Sequence, residues 1–305
     1  MSAVPVLLEL AVGEAPSQVS LAEADAIAAT AQDLGVTAVR LVDRVGEQPA
    51  IDPSMVAAHL AGRYPDLGWL IDAPTTHNAP YNLARRILSV DRATGGRAGL
   101  VLIPGGGDEV SDAAVPDCAA TDPAERWAEY ADIVTRLWES FPAAALLGDQ
   151  QRAVVVDDVL IRPVDFRGRF YRVGGPLDGP SSLQGRPMLV AAAPTEVGWA
   201  RIAAIADAVI VELSEINYAT AQLRAALHAA GRRREDVALL VRTTDPEIIN
   251  HATADLNADG IVVAANGGAP EMLAALRRAG RQDTPQRRAT LRATLTIPSP
   301  EGVSM

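Results

Sequence analysis

The chain has 305 residues, a formal net charge of −11 and an apolar fraction of 49%. The negative charge argues against non-specific nucleic-acid binding, which depends on Lys and Arg meeting phosphates. No apolar run approaches the ~20 residues that a membrane span needs. The sequence contains no lysine, which excludes Schiff-base chemistry on a lysine, including the usual binding of pyridoxal phosphate.

Cysteine and histidine are scarce. Cys118 is the single cysteine, so an intramolecular disulfide and a cysteine metal cluster are excluded. The four histidines form no HExxH motif and no cluster, so we expect no metal site. Residues 1–10 lack the basic start and the cleavage site of a signal peptide. We therefore expect a cytoplasmic protein that contacts neither membrane nor nucleic acid.

Short apolar runs alternate along the chain with helical patterns. The runs predict strands at residues 4–10, 38–43, 67–73, 97–103, 187–193, 208–213, 237–242 and 260–265. The helical patterns cover residues 21–34, 52–64, 80 to the Gly95-Gly96 stop, 125–141, 195–206, a segment up to 228, 245–256 and 270–279. Ser20 with Glu23 three residues later predicts a capping box at the first helix. Glycines and prolines break the rhythm at residues 143–185 and predict an insertion with a hairpin.

Eight consecutive strand–helix units with apolar, β-branched strands are typical of a parallel barrel. A doubly wound sheet would use about six strands and would usually carry a glycine-rich phosphate turn after the first one. Gly13-Glu14-Ala15-Pro16 follows the first strand instead. We therefore predict an α/β fold, a (β/α)8 TIM barrel, that spans residues 1–305 as a single domain. We expect the polar tail from Gln282 to wrap the outside.

Ligands of a parallel barrel bind at the carboxyl ends of its strands. The residues predicted at that end are Asp43, Asp72, Thr75, Thr76, Pro104, Thr195, Glu212, Arg242, Thr243 and Asn266. His77 lies in the loop after the third strand, at the same end. Gly105-Gly106-Gly107 suits either a phosphate-cradling turn or a mobile loop.

Residues 80–99 read PYNLARRILSVDRATGGRAG. This stretch resembles the luciferase-like flavin-dependent monooxygenases, in particular their nitrilotriacetate monooxygenase / dibenzothiophene-sulfone monooxygenase branch, which carries LARR and then D…SGGRAG here. Residues 163–177 and 184–198 are also similar to motifs of that branch. Its members are longer, chiefly through an excursion between the seventh and eighth units that this chain lacks. Alone, residues 80–99 also suit the helix–strand unit of any α/β protein.

The resemblance implies a luciferase-like barrel and an FMN-dependent monooxygenase of a two-component system. A separate flavin reductase would supply reduced FMN, O2 would be the co-substrate, and a peroxyflavin would insert one oxygen atom into a small organic substrate. It also implies a homodimer or a heterodimer with a paralogue. The alternative is a flavin-free relative that acts as a binding or partner subunit of a full-length paralogue. A deazaflavin-using oxidoreductase is a third interpretation.

The resemblance assigns cofactor contacts to Asp43, Asp72, Thr75, Trp127 and Thr195. Asp72 stands where the family usually has threonine, and Trp127 stands where it has tyrosine. Thr195 matches a serine beside the flavin phosphate, and a hydroxyl at a helix start suits a phosphate because N–H groups are free there. A plain N-cap is the other interpretation of Thr195.

His77 is the candidate catalytic residue, as a hydrogen-bonding partner of a peroxyflavin or a substrate; a solvated loop histidine is the alternative. The loss of a family histidine, of an asparagine and of the excursion motivates the flavin-free alternative, and three positions depart from the family pattern. Pro123 replaces a flavin-contacting histidine, Val101 replaces an asparagine of the fourth strand, and Ala193 replaces a glycine. Proline can neither donate a hydrogen bond nor act as an acid or a base.

Overall fold

The structure, a computed structural model, describes residues 4–106, 115–117, 119–245, 257–264, 268–279 and 289–300. Its centre is a closed parallel barrel whose strands follow one another around the ring in chain order. The barrel strands are β1 (Val6–Leu10), β2 (Ala38–Leu41), β5 (Gly68–Pro74), β6 (Ala98–Ile103), β11 (Met188–Ala191), β12 (Ala208–Glu212), β13 (Ala238–Thr243) and β14 (Gly260–Ala264). β1 pairs with both β2 and β14, which closes the ring. The predicted eight-stranded barrel is confirmed.

The helices cover the outside of this ring. They are α1 (Leu21–Leu34), α2 (Pro53–Ala61), α3 (Pro80–Ala93), α4 (Pro123–Glu139), α5 (Pro194–Val197), α6 (Trp199–Ile205), α7 (Ile216–Ala229), α8 (Gly268–Ala279) and α9 (Leu291–Thr294). The capping box of Ser20 and Glu23 starts α1 as predicted, and Gly35 ends it in the left-handed conformation, φ 78°. Among the described residues, no helix combines the length and the apolar character that a bilayer span requires.

One helix prediction is wrong, and another lies mostly outside the described residues. The predicted helix at 195–206 is wrong as one element, because Gly198 at φ 91° interrupts it and leaves α5 and α6. The predicted helix at 245–256 lies outside the described residues from position 246 onward. The assignment of residues 1–305 to one domain stays a prediction.

Side chains alternate across each strand and build two separate apolar clusters. Outward-facing residues pack under the helices, where Trp127 and Trp138 of α4 are fully buried. Inward-facing residues fill the lower part of the lumen and include Leu7, Leu70, Val101, Val190, Leu240 and Val262. The lumen is therefore packed rather than hollow, as in other barrels of this size.

The tail closes the amino-terminal end of the barrel, which we call the bottom. Leu291, Leu295 and Ile297 belong to the lumen cluster and are nearly inaccessible. The prediction that the tail wraps the outside is therefore wrong for residues 289–300. Three apolar side chains spaced four and two residues apart fit under the lumen, where they remove its lowest layer from water.

The insertion contains two hairpins rather than one, β7 (Leu146–Asp149) with β8 (Val154–Val156) and β9 (Asp165–Arg167) with β10 (Arg172–Gly174). A third hairpin, β3 (Arg44–Val45) with β4 (Gln48–Pro49), follows β2. The β9–β10 turn is held on α4 because the Glu129 carboxylate accepts hydrogen bonds from the backbone N–H groups of residues 169–171. The Tyr171 hydroxyl then donates to the Thr75 carbonyl at 2.7 Å, which brings the hairpin to the upper rim.

Candidate functional site

A cavity of about 450 Å³ opens at the carboxyl ends of the barrel strands, and we call it the mouth cavity. Its walls come from the upper ends of six barrel strands, from the hairpin that follows β2 and from the turn that leads into α5. Small-molecule sites of folded proteins are typically ~300–1,000 Å³. The position is the one at which barrel enzymes bind their substrates.

Charged side chains occupy the uppermost inward positions of five strands. We call this set the charged crescent: Asp72 of β5, Arg40 of β2, Glu9 of β1, Arg242 of β13 and Glu212 of β12. Each lies two residues beyond an apolar residue of the lumen cluster and therefore points the same way. Three further wall residues are apolar, Ile103, Ala192 and Ile210, and we call them the apolar arc. The remaining wall is mixed and includes Arg44, Thr195 and Glu215 as well as Val42, Val45 and Pro194. The mouth thus combines a charged series with an apolar group.

The crescent is a continuous series of ion pairs. Arg40 binds Asp72 through two parallel hydrogen bonds, Nε to Oδ1 at 2.9 Å and Nη2 to Oδ2 at 2.8 Å. The Nη1 group of Arg40 donates to Glu9 Oε2 at 2.8 Å. Arg242 continues the series, with its Nη2 group 2.8 Å from Glu9 Oε1 and its Nη1 group 3.0 Å from Glu212 Oε1. Such fork geometry fixes the direction of each guanidinium group.

Burial separates the pKa values of two crescent carboxyls. Burial raises the pKa of Asp72 to about 6, against the lowering effect of Arg40. Burial also acts on Glu9, but hydrogen bonds from Arg242 and the charge of Arg40 keep its pKa below the ordinary value. Of these two groups, Asp72 is the one that takes up a proton first as the pH falls toward 6.

Two of the predicted site residues, Asp72 and Thr195, line the mouth cavity together. Thr195 is exposed and is the second residue of α5, whose N-cap is Ala193. The interpretation of Thr195 as a plain N-cap is therefore wrong. Ala193 adopts φ 52°, a left-handed conformation that costs a non-glycine residue free energy, at the position where the family pattern has glycine.

Asp43 and Thr75 lie at the rim but outside the walls of the mouth cavity. Burial raises the pKa of Asp43, and the charges of Arg44 and His77 oppose the increase. Asp43 in turn raises the pKa of Asp72, so its carboxyl is electrostatically coupled to the mouth cavity. Thr75 is buried, and its Oγ1 accepts a hydrogen bond from the Gly105 N–H group at 3.0 Å. The role of Thr75 in this geometry is to join two rim loops.

Trp127 and His77 are placed elsewhere. The indole Nε1 of Trp127 donates to the Leu102 carbonyl at 2.8 Å, and the ring is fully buried between α4 and β6, away from the walls of the mouth cavity. His77 is exposed at φ 60° and lines a second cavity of about 550 Å³ beside the rim, which we call the side cavity. The flavin contacts and the catalytic role assigned to these residues stay predictions.

Sequence reasoning missed Glu9 and Arg40, and it placed Glu212 and Arg242 at the rim without assigning them a role. The available signal was a single charge inside an otherwise apolar strand, as in Val-Leu-Leu-Glu-Leu and Ala-Val-Arg-Leu. Such a charge must point either into the lumen or under the helices. Only the register of the closed ring shows that five of them meet. Within the described ranges, no three His, Cys, Asp or Glu side chains are grouped as metal ligands.

Comparisons with known proteins agree with this architecture. The family profile described as "Luciferase-like monooxygenase" matches residues 4–245. The chain is similar in fold to EDTA monooxygenase from Chelativorans, with a TM-score of 0.72 and 18% identity over 97% of this chain and 98% of that one. A riboflavin lyase solved with modified FMN and riboflavin gives a TM-score of 0.67 and 22% identity over 78% of this chain and 62% of that one.

Two curated relatives differ in how much of their length is matched. One of the subunits of pristinamycin IIA synthase from Streptomyces pristinaespiralis is 31% identical over 89% of this chain and 87% of its own length. Dibenzothiophene-sulfone monooxygenase of Rhodococcus erythropolis is 30% identical over 60% of this chain, and the match spans only 42% of that relative. The profile and the first relative each cover well over half of the chain. The chain therefore belongs to the luciferase-like monooxygenase family of flavin-dependent oxidoreductases.

Proposed function

We propose that the chain binds reduced FMN in the mouth cavity and transfers one oxygen atom from O2 to a small organic substrate. The observation that supports this most directly is that the lining of the mouth contains both the apolar arc and the charged crescent. An isoalloxazine is a flat ring system with an apolar benzenoid end and a hydrogen-bonding pyrimidine end. The apolar arc and the charged crescent offer complementary surfaces for those two ends.

Specific residues would hold the cofactor. Ile103 and Ala192 of the apolar arc would contact the ring, and the guanidinium groups of Arg40 and Arg242 would face its polar edge. The Thr195 hydroxyl lines the same cavity and suits the phosphate. Bound flavin supplies the chemistry of oxygen activation, and the protein supplies position and electrostatics.

Asp72 is the residue that would hold a proton at this site. Its raised pKa, about 6, keeps a protonated fraction close to neutral pH, and Arg40 fixes the orientation of its carboxyl group. The charge of Arg40 also favours negative charge that develops nearby. We expect Asp72→Asn to retain flavin binding and to flatten the pH dependence of turnover between pH 5 and 7 (about one unit either side of 6).

The decisive measurement is an anaerobic titration of the full chain with FMN and with chemically reduced FMN, followed by flavin fluorescence and calorimetry. We expect Arg242→Met to weaken binding about tenfold or more, because a charge-assisted contact contributes about 1.5–3 kcal/mol. Arg167→Met is the matched control, since Arg167 is an exposed residue of β9. Absence of binding at high micromolar flavin in either redox state would overturn the proposal. The same titration with a deazaflavin tests that alternative.

The reductase is part of the proposal. The family resemblance implies that a separate flavin reductase supplies the reduced cofactor and that the chain works as a homodimer or a heterodimer. We expect substrate turnover when the chain is mixed with a reductase, NADH, FMN and air. Turnover that persists when a dialysis membrane separates the two proteins would show free diffusion of reduced FMN between them.

A second candidate function is a partner subunit without its own flavin. One relative, matched over 89% of this chain, is by its name one subunit of a synthase. The insertion also exposes Leu146, Val155 and Val159, of which Val159 is 86% accessible. Exposed apolar groups of this kind are frequent at protein interfaces. Co-expression with a longer paralogue and light scattering would detect the complex, whereas turnover by the purified chain with a reductase would exclude this function.

A further inference from the structure

The β7–β8 hairpin is apolar in composition but has no cover in the chain. β7 and β8 contain no buried residue, although five of their seven residues are Leu or Val. Antiparallel sheets usually bury one face on a core, and a two-stranded hairpin without such support is marginally stable in water. The composition of this hairpin therefore predicts that another surface covers it.

β8 has a free edge. Among the described residues this sheet contains only β7 and β8, so β8 has a neighbouring strand on one side only. The Asp157 N–H group, directly after β8, donates to the Ala145 carbonyl on the β7 side at 2.8 Å. Because backbone groups alternate in direction along an antiparallel strand, the N–H and C=O groups of Val154 and Val156 point away from β7. A further strand can pair with them there.

The sequence along this edge is complementary to itself. Residues 152–158 read RAVVVDD. When two copies of such a strand lie antiparallel with Val155 at the twofold axis, the Arg152 end of each copy meets the Asp158 end of the other. Asp158 has no ion-pair partner among the described residues. Arg152 pairs only with Asp149, and an exposed pair of this kind contributes little, so Arg152 can exchange its partner at small cost.

We propose that two copies of this chain associate through the outer edges of their β8 strands and form one four-stranded antiparallel sheet. Val154 of each copy exchanges backbone hydrogen bonds with Val156 of the other, and the two Val155 side chains meet at the axis. Val159 and Leu160 follow β8 directly, are exposed and add apolar surface near the contact. A twofold contact of this type uses the same surface on both subunits, so association stops at two copies.

This contact is independent of the proposed flavin chemistry, because no residue of β7 or β8 lines the mouth cavity. The family resemblance implies a dimer but assigns it no surface. The β8 edge supplies both a surface and a register. Its charge pattern favours a second copy of this chain over an unrelated partner, since the basic and the acidic end lie on the same strand.

The test is analytical ultracentrifugation of the flavin-free full chain over a range of concentrations. We expect a monomer–dimer equilibrium. Val155→Asp places two like charges opposite each other and is expected to weaken dimerisation at least about tenfold. Val156→Pro removes an outward N–H group that β7 does not use and is expected to weaken it similarly. Met55→Asp is the matched control, because Met55 lies on α2 and is 61% accessible.

A charge reversal tests the register. Asp158→Arg makes the pairs at both ends of the contact repulsive and is expected to weaken dimerisation about tenfold. Adding Arg152→Asp to this variant restores opposite charges across the contact and is expected to recover most of the parent affinity. Failure of the double variant to recover any affinity would contradict this register.

Three further outcomes would overturn the proposal. They are a parent chain that stays monomeric at high micromolar concentration, a dimer that both Val155→Asp and Val156→Pro leave intact, and association that occurs only on co-expression with a longer paralogue. Circular dichroism checks that each variant is folded. The experiment needs neither flavin nor substrate, so failure of flavin binding leaves its result interpretable.

Discussion

The two ends of the barrel carry similar groups in different settings. At the bottom, Asp207 is buried between Arg186 and Arg292 and also accepts the Leu189 N–H group at 2.8 Å. At the mouth, the crescent also alternates carboxylates and arginines, but Glu212 remains 51% accessible in its side chain and faces a cavity. The bottom is covered by residues 289–300, whereas the mouth is open.

This difference separates stability from binding. Burial alone would raise the pKa of Asp207, but the charges of Arg186 and Arg292 hold it well below its ordinary value. Each of these charges is buried and has its partners in the chain. At the mouth, Arg242 is 26% accessible, and a ligand of suitable charge can take over part of its contacts. Barrel folds generally keep stability at the bottom and chemistry at the top.

Asp207 lies between Arg186 and Arg292, and removing its charge is the most severe test of this separation. We expect Asp207→Asn to lower the free energy of unfolding by about 3–5 kcal/mol, because two buried arginines lose their counter-charge. The lowered pKa also means that the contribution of Asp207 is present above about pH 4 and is lost in acid. Urea denaturation measures the change, and Asp165→Asn in an exposed pair is the control. Equal stability of the two variants would contradict the assignment.

The tail provides the next largest effect. Leu295→Ala is expected to cost about 2–5 kcal/mol, because it opens a cavity under the lumen. Leu183→Ala removes the same atoms from a side chain that is 74% accessible and is the matched control. Thermal and urea unfolding, with flavin titration alongside, would show a loss of stability without a loss of intrinsic affinity. A tail that merely wraps the outside would give the same small change for both variants.

Asp91 is a second buried carboxyl at the bottom of the barrel. Its pKa is raised and not lowered, so its effect on stability has the opposite pH dependence to that of Asp207. Asp91 accepts hydrogen bonds from the Ala98 N–H group and the Gln184 amide, and burial raises its pKa to about 7. Since this pKa exceeds the unfolded value of ~3.9, the stabilising contribution of Asp91 is complete below about pH 4 and is lost as the pH rises through 7. As the pH rises from 4 to 8, we expect the free energy of unfolding of Asp91→Asn to increase by about 2 kcal/mol or more relative to that of the parent. Parallel stability curves across that range would disprove the shift.

The smallest effect concerns backbone strain at the mouth. Ala193 holds φ 52°, and Ala193→Gly is expected to raise the stability by about 0.5–1 kcal/mol. Ala192→Gly, one residue earlier, is the control and is expected to lower it. Differential scanning calorimetry resolves both changes. A loss of stability in both variants would mean that the left-handed conformation at position 193 is unstrained.

The fold was predictable because it depends on local pattern, whereas the site depends on register. Eight apolar runs and the capping box at Ser20 were sufficient for the barrel and for α1. Strand and helix bounds were mostly correct to within a few residues, apart from the break at Gly198. The motif at residues 80–99 led to the family. These features are set by neighbours in the chain.

The site was only partly predictable, since it depends on which charges meet across a closed ring. Asp72 and Thr195 were placed correctly in the mouth, but Glu9 and Arg40 looked like isolated polar residues in buried strands. Trp127 matched a family position, yet its indole is used in the packing of α4 on β6. No sequence rule predicts whether such an indole ring will point toward a cavity or into the packing between a helix and a strand. Bounds of strands are local properties, whereas ion-pair partners come from strands up to 233 residues apart, as with Arg242 and Glu9.

The pairing of β1 with β14 has a consequence for biosynthesis. During translation, β1 leaves the ribosome first, and one edge of it stays unpaired until about 250 further residues have been made. The lower end of the lumen stays uncovered still longer, because Leu291, Leu295 and Ile297 follow β14 in the chain. A nascent chain of this protein therefore exposes an open strand edge and an uncovered apolar interior for most of its synthesis, and chaperone binding over that interval should protect it from aggregation.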